Sequence, residues 1–186
     1  MRLAKIDFKK SLELARRVSE SWFRCQALAG AARFAPDDRV VPTTKEAIAA
    51  ALTTSEPYQR VAATAWPLRA LIERGQEQAA LRLLPEILAG AARIENPVSR
   101  SDALFLLWEA FFPVAAHQSV LGLLLISCKG HGKAERILAQ VALILASQNP
   151  QEAQRIAAGM PDGRLKRQAE ERLAEGRKQE AKQFFF

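Results

Sequence analysis

The chain has 186 residues, 49% of them hydrophobic and 25% charged, with 27 Lys and Arg against 20 Asp and Glu for a formal net charge of +7. A chain of this size buries roughly 70% of its unfolded surface and needs no disulfide or metal staple to fold. Its two distant cysteines, Cys25 and Cys128, make no disulfide framework, and reduced thiols lead us to expect a cytoplasmic protein.

In chain order, the first twenty residues mix Arg2, Lys5, Asp7, Lys9, Lys10 and Glu13 among their apolar positions, so no export leader is expected. From there on apolar residues recur at spacings of three and four, the helical period. Ala80, Leu81, Leu84, Leu88, Ala91 and Ile94, for example, form one stripe. The breaks fall at Pro36-Asp37-Asp38, Ser55-Glu56-Pro57, Asn96-Pro97, Lys129 to Gly132, Asn149-Pro150 and Pro161-Asp162-Gly163, all of them turn or helix-start chemistry. They divide residues 1–186, read as a single domain, into five helix pairs over 5–34, 43–73, 76–111, 114–148 and 150–175. Phe34 to Thr44 is expected to be a long loop, and Pro67 and Pro85 are expected to kink or interrupt their helices. The most apolar stretch, Ala103 to Cys128, is divided by Glu109, Pro113, His117 and Gln118. Its runs are shorter than the ~20 residues of a membrane span, so it reads as two buried helices.

The second helices of these pairs repeat a pattern. Pro57-Tyr-Gln-Arg60, Pro97-Val-Ser-Arg100 and Pro161-Asp-Gly-Arg164 are three copies of Pro-x-x-Arg, and two degenerate copies end in Arg24 and Arg136. Three positions after each Arg a small residue usually follows (Ala27, Ala63, Ala103, Ala139; Arg167 departs), which permits close helix approach. Gly75 and Gly176 each stand five residues before an Ala, which reads as the junction to a following helix, the second of these being a terminal helix. Arginine in a first turn is opposed by the helix dipole, so Arg24, Arg60, Arg100, Arg136 and Arg164 ask for a compensating partner. The carbonyls ending the previous helix are the simplest one; an exposed basic ladder is the other reading.

These Gly-x-x-x-x-Ala and Pro-x-x-Arg-x-x-Ala patterns are similar to the tetratricopeptide and HEAT class of α-solenoids over roughly residues 5–183. The resemblance implies an all-α right-handed superhelix of about five stacked antiparallel hairpins plus a terminal helix, with a concave inner surface. It further implies a noncatalytic scaffold that binds a peptide or protein on that surface, with Arg60, Arg100, Trp66 and Trp108 as candidate contacts. The alternative is nucleic-acid or anionic-surface binding through basic ends. Residues 1–36 hold 8 basic and 3 acidic side chains and 133–186 hold 10 and 7, against 7 and 8 over 37–95 and 2 and 2 over 96–132.

Little else points to chemistry. The glycines form no nucleotide-binding fingerprint, and no cofactor is expected. Lys129-Gly-His-Gly-Lys133 is a short basic glycine loop where backbone N–H groups could hold an anion, although an inter-repeat turn explains it more simply. Cys128 and His131 have a metal-like spacing but lack a second pair, so no metal is expected. His117 reads as a structural histidine, and Trp22, Trp66 and Trp108, at different offsets from their repeat Arg, read as core. The charge-alternating run Arg164 to Lys182 reads as a solvated helix face. Enzyme activity would call for a buried carboxylate on the concave face, close to a Trp and titrating abnormally. The terminal Phe184-Phe-Phe186 is expected to dock on the last hairpin as a cap, with a free hydrophobic tail as the alternative.

Overall fold

The computed structural model describes residues 2–129 and 131–185. Among these, twelve helices and no strand are present: α1 (Arg2–Ile6), α2 (Phe8–Arg16), α3 (Ser21–Ala32), α4 (Asp37–Leu52), α5 (Pro57–Ala62), α6 (Ala65–Glu73), α7 (Glu77–Ala92), α8 (Pro97–Phe111), α9 (His117–Ser127), α10 (Ala134–Leu145), α11 (Pro150–Ala158) and α12 (Arg164–Ala174). No helix among them is long and apolar enough to cross a membrane.

Local chemistry sets several helix ends. Asp7, Asn96 and Asn149 cap α2, α8 and α11, their side-chain oxygens accepting from Lys10 N at 3.0 Å, from Val98 N and Ser99 N at 2.9 and 3.1 Å, and from Glu152 N at 3.1 Å. Each satisfies N–H groups that a helix start leaves open. Gly75 and Gly176 lie in the left-handed region, φ +67° and +69°. Behind them Gln76 N bonds Leu71 O and Arg177 N bonds Arg172 O, each at 2.8 Å, the glycine-dependent closure of a helix C-terminus.

That closure corrects one expectation. Gly75 leads into α7, but Gly176 leads into a segment over 177–185 with no regular secondary structure, not into a terminal helix. A glycine of this kind marks the end of the helix before it and does not specify the conformation of the chain after it. Non-helical chain can advance further per residue than the roughly 1.5 Å of a helix, and this segment brings Phe184 to Trp66.

Two further elements differ from the sequence reading. Phe34 to Thr44 is no long loop, because α4 begins at Asp37 and runs through Pro42. Asp37 and Asp38 suit a helix N-terminus, Pro42 points to solvent, and Val40 is fully buried. Pro67 does mark an interruption, since it lacks the N–H that would bond Ala63 O, and the second helix of its pair is split into α5 and α6. Pro85, exposed on α7, interrupts nothing.

Packing follows chain order. α3 contacts α6, α6 contacts α8, α8 contacts α10, and α10 contacts α12, forming one layer. α2, α4, α7, α9 and α11 pack against members of that layer. Ala29, Ala63, Ala65 and Ala103 are completely buried at these contacts. They allow the Cys25 thiol to reach within 3.3 Å of the Ala63 carbonyl, across α3 and the α5–α6 turn. One apolar core extends from Leu12 to Phe184, with Trp108 and Phe111 its largest fully buried side chains.

Candidate peptide-binding groove

The recurrent arginines sit where the interhelix turns need donors. Arg24 Nη1 donates to Val18 O and Ser19 O, both at 3.1 Å. Arg60 donates to Thr54 O at 2.8 Å and Ser55 O at 2.9 Å, and Arg100 to Ile94 O at 3.2 Å. In all three the acceptor lies six residues back, and in two also five. A guanidinium there neutralises carbonyls left open after the previous helix and anchors the next one. For Arg136 the residue six back is Gly130, outside the described residues; Arg164 makes no such bond among them.

The candidate contacts therefore separate. Arg60 and Arg100 are engaged at turns, and Arg100 Nε also bonds Ser127 Oγ at 3.2 Å. Trp108 is fully enclosed, with Phe105 stacked at 5.9 Å and Phe112 edge-on at 5.2 Å, so it has no surface to offer a partner. Trp66 alone of the four is in contact with a peptide segment, and that segment belongs to the chain itself.

Residues 177–185 cross the layer from α10 towards α3. Gln179 N donates to Leu143 O of α10 at 3.1 Å, and Lys182 N to Glu109 Oε1 of α8 at 2.8 Å. The indole N–H of Trp66, on α6, donates to Phe184 O at 3.0 Å. Phe184 packs edge-on against Trp66 at 5.3 Å, the Lys182 ammonium lies 5.1 Å from the Trp66 ring, and the guanidinium of Arg33, the residue that closes α3, lies 4.4 Å from the Phe185 ring. The phenylalanine tail is thus docked, but on the second helix pair and not on the last as a cap; Phe186 lies outside the described residues. The open end near α12 offers no aromatic pocket, whereas Trp22, Tyr58 and Trp66 form a contiguous aromatic cluster, with Trp22 stacked on Tyr58 at 6.4 Å and edge-on to Trp66 at 5.8 Å. Offsets from the repeat Arg hide this meeting, because α6 starts a new helix after the break at Thr64.

Besides a small cleft of about 180 Å³ against Gln179, two larger clefts adjoin the segment. One of about 670 Å³ has mixed walls that carry both charges, with Asp102, Glu109, Lys133 and Arg136 beside Phe105 and Ile137, and Gln179 and Lys182 along it. The other, of about 500 Å³, is apolar and lies among Leu14, Ala27, Phe23, Trp66, Phe184 and Phe185. Phe23 is 60% exposed there, an unusual position for a large ring.

Glu109 is 5% exposed, and burial raises its carboxyl above the usual range against the pull of the Lys182 N–H and ammonium. It has several features expected of a catalytic carboxylate: burial, a neighbouring Trp in sequence and a shifted titration. Its hydrogen-bonded partner among the described residues, however, is a backbone N–H and not a hydroxyl, thiol or imidazole. What this arrangement does chemically is hold a peptide main chain. The only sequence signal for it was a lone acid in an otherwise apolar stretch. Asp102 is also raised by burial, with Arg136, His131 and Lys133 opposing.

The histidines and cysteines are structural in geometry. His117 Nδ1 lies 2.8 Å from Val114 O and its Nε2 2.9 Å from Gln118 Nε2. Ser101 Oγ joins Ser127 Oγ at 2.9 Å and His131 Nε2 at 3.1 Å, tying α8 to α9 and the loop after it. Among the described residues no three candidate ligands gather around a metal position. The anion reading of the glycine loop falls on Gly130, outside the described residues. Comparison with protein-family models, with curated proteins and with solved structures finds no match to this chain.

Proposed function

We propose that this protein is a noncatalytic interaction scaffold, a right-handed helical superhelix whose inner layer of α3, α6, α8 and α10 holds an extended segment of a partner protein. The observation that supports it is the 177–185 segment. Nine non-helical residues lie across that layer, held through groups that any peptide possesses, and the adjoining clefts extend beyond what the segment covers. Recognition of main chain by a few fixed donors and acceptors, with one ring in a pocket, is how a groove binds a peptide in extended form.

The basic ends support a nucleic-acid role less well. Arg16 pairs with Glu46 at 2.7 Å, Arg33 with Glu73 at 2.6 Å, Lys166 with Asp162 at 2.9 Å and Arg177 with Glu175 at 2.8 Å. Charge already neutralised internally releases few counterions on binding a phosphate backbone.

An array of nine-residue peptides probed with the wild-type chain and with Arg136→Glu tests the reading. Binding to a subset of peptides, redistributed when the exposed Arg136 in the larger cleft is reversed, is the expected result. A blank array, together with salt-sensitive anisotropy of labelled RNA or DNA, would transfer the function to the basic ends.

A further inference from the structure

Resting on the groove reading, we propose that the 177–185 segment is the groove's resident ligand, and that the surface it covers takes, in competition with it, an extended partner segment carrying a basic residue followed two positions later by an aromatic ring. The segment itself shows which features are read. Lys182 and Phe184, two positions apart, both meet the Trp66 ring, the spacing at which residues of an extended ligand would share a face. Gln183 between them is exposed. The bonds to Leu143 O, Glu109 and the Trp66 indole use the segment's N–H and C=O groups, so they fix placement and direction without reading sequence. Selectivity falls to the ring slot beside Trp66 and to the cation over it, since an ammonium over an indole face is favoured.

The occupancy is built to be exchanged. Of the nine residues only Phe184 is buried; Arg177, Lys178, Glu180, Lys182 and Gln183 are exposed. The segment joins α12 at Gly176, whose left-handed conformation ends the helix, so it can leave without disturbing the helix before it. A tethered ligand of few contacts competes through its high effective concentration, not through intrinsic affinity. An untethered peptide with the same features meets a groove whose apparent affinity is lowered by the fraction of time the segment occupies it.

The test uses a fluorescent peptide of residues 177–185 and the full-length chain as wild type, as Phe184→Ala and as Lys182→Pro. The proline removes both the N–H given to Glu109 and the ammonium over Trp66, and retains the Phe184 side chain. Both variants are expected to bind the peptide at least about tenfold more tightly than wild type, because their own segment competes less. The same peptide carrying Phe184→Ala is expected not to bind. Folded variants, shown by wild-type helicity and a cooperative melt, that bind the peptide no more tightly than wild type would overturn the proposal. If those variants ignore this peptide but still bind others on the array, the ligand class is wrong while the groove stands; a blank array removes both. A wild-type dimer in light scattering that dissociates in Lys182→Pro would place the segment in a second copy's groove and overturn competition within one chain.

Discussion

Replacing Phe184 by Ala separates the docking of the segment from the stability of the helices beneath it. The ring is 5% exposed and packs edge-on to Trp66 at 5.3 Å. Burying a Phe side chain contributes about 1.5–3 kcal/mol, and an edge-to-face aromatic pair adds roughly 0.5–1.5 kcal/mol. Phe184→Ala should therefore weaken docking by about 2–4 kcal/mol, a factor of roughly 30 to 1,000 in the docking equilibrium. The segment can detach while the helices stay folded, so global stability falls by no more than the docking free energy itself. Native-state hydrogen exchange reads both quantities. The amides of Gln179 and Lys182, bonded to Leu143 O and Glu109, should exchange faster by that factor or reach the free-peptide rate, while amides inside α8 respond less. Unchanged exchange at Gln179 and Lys182 would refute the claim that the ring holds the segment. An equal loss of protection in α8 would make the segment a keystone of the fold and not an exchangeable ligand.

Other consequences are open to simpler assays. Arg60→Met keeps most of the side-chain stem but loses the bonds to Thr54 O and Ser55 O, at a cost of about 1–2 kcal/mol, or roughly 3–6 °C in Tm for a chain of this length; an unchanged melt would deny the arginines a role in closing the turns. Glu109 has a folded-state pKa raised by burial, so its ionisation destabilises the fold, and this cost grows as pH rises from the usual carboxylate range through the raised value. Glu109→Gln retains an oxygen for the Lys182 N–H without the charge. In urea unfolding it should be more stable than wild type at about pH 8, with the difference shrinking towards about pH 4; a pH-independent difference would contradict the assigned cause. Burial pushes the Cys25 thiol up to about 12 and raises that of Cys128. Neither should react with a thiol reagent at about pH 8 until guanidinium unfolds the chain, and rapid native labelling of Cys25 would show its burial to be wrong.

The candidate site was only partly legible before the structure. Trp66 could be named as a contact only as a residue of a second helix that the repeat would turn to the concave face, and the same reasoning named Trp108, which is enclosed, and Arg60 and Arg100, which are bound at turns. Period and offset place a residue along its own helix; they do not say which neighbour covers it. Glu109 was visible as an isolated acid among apolar residues, yet its partner lies 73 positions away in a segment that reads as helix.

What the sequence determined by itself is the set of features closed within about six residues: the caps at Asn96 and Asn149, the helix stop at Gly75, the break at Pro67 and the arginine bonds to the turn behind each second helix. Their donors and acceptors are neighbours in the chain, so composition and spacing suffice. Tertiary structure alone decided that residues 37–42 are helical, where burial of Val40 accompanies a proline within the helix, and that residues 177–185 form no helix. That last choice depends on a pocket made by Trp66, 118 residues from Phe184, and the free energy of filling it exists only once the layer that forms it has assembled.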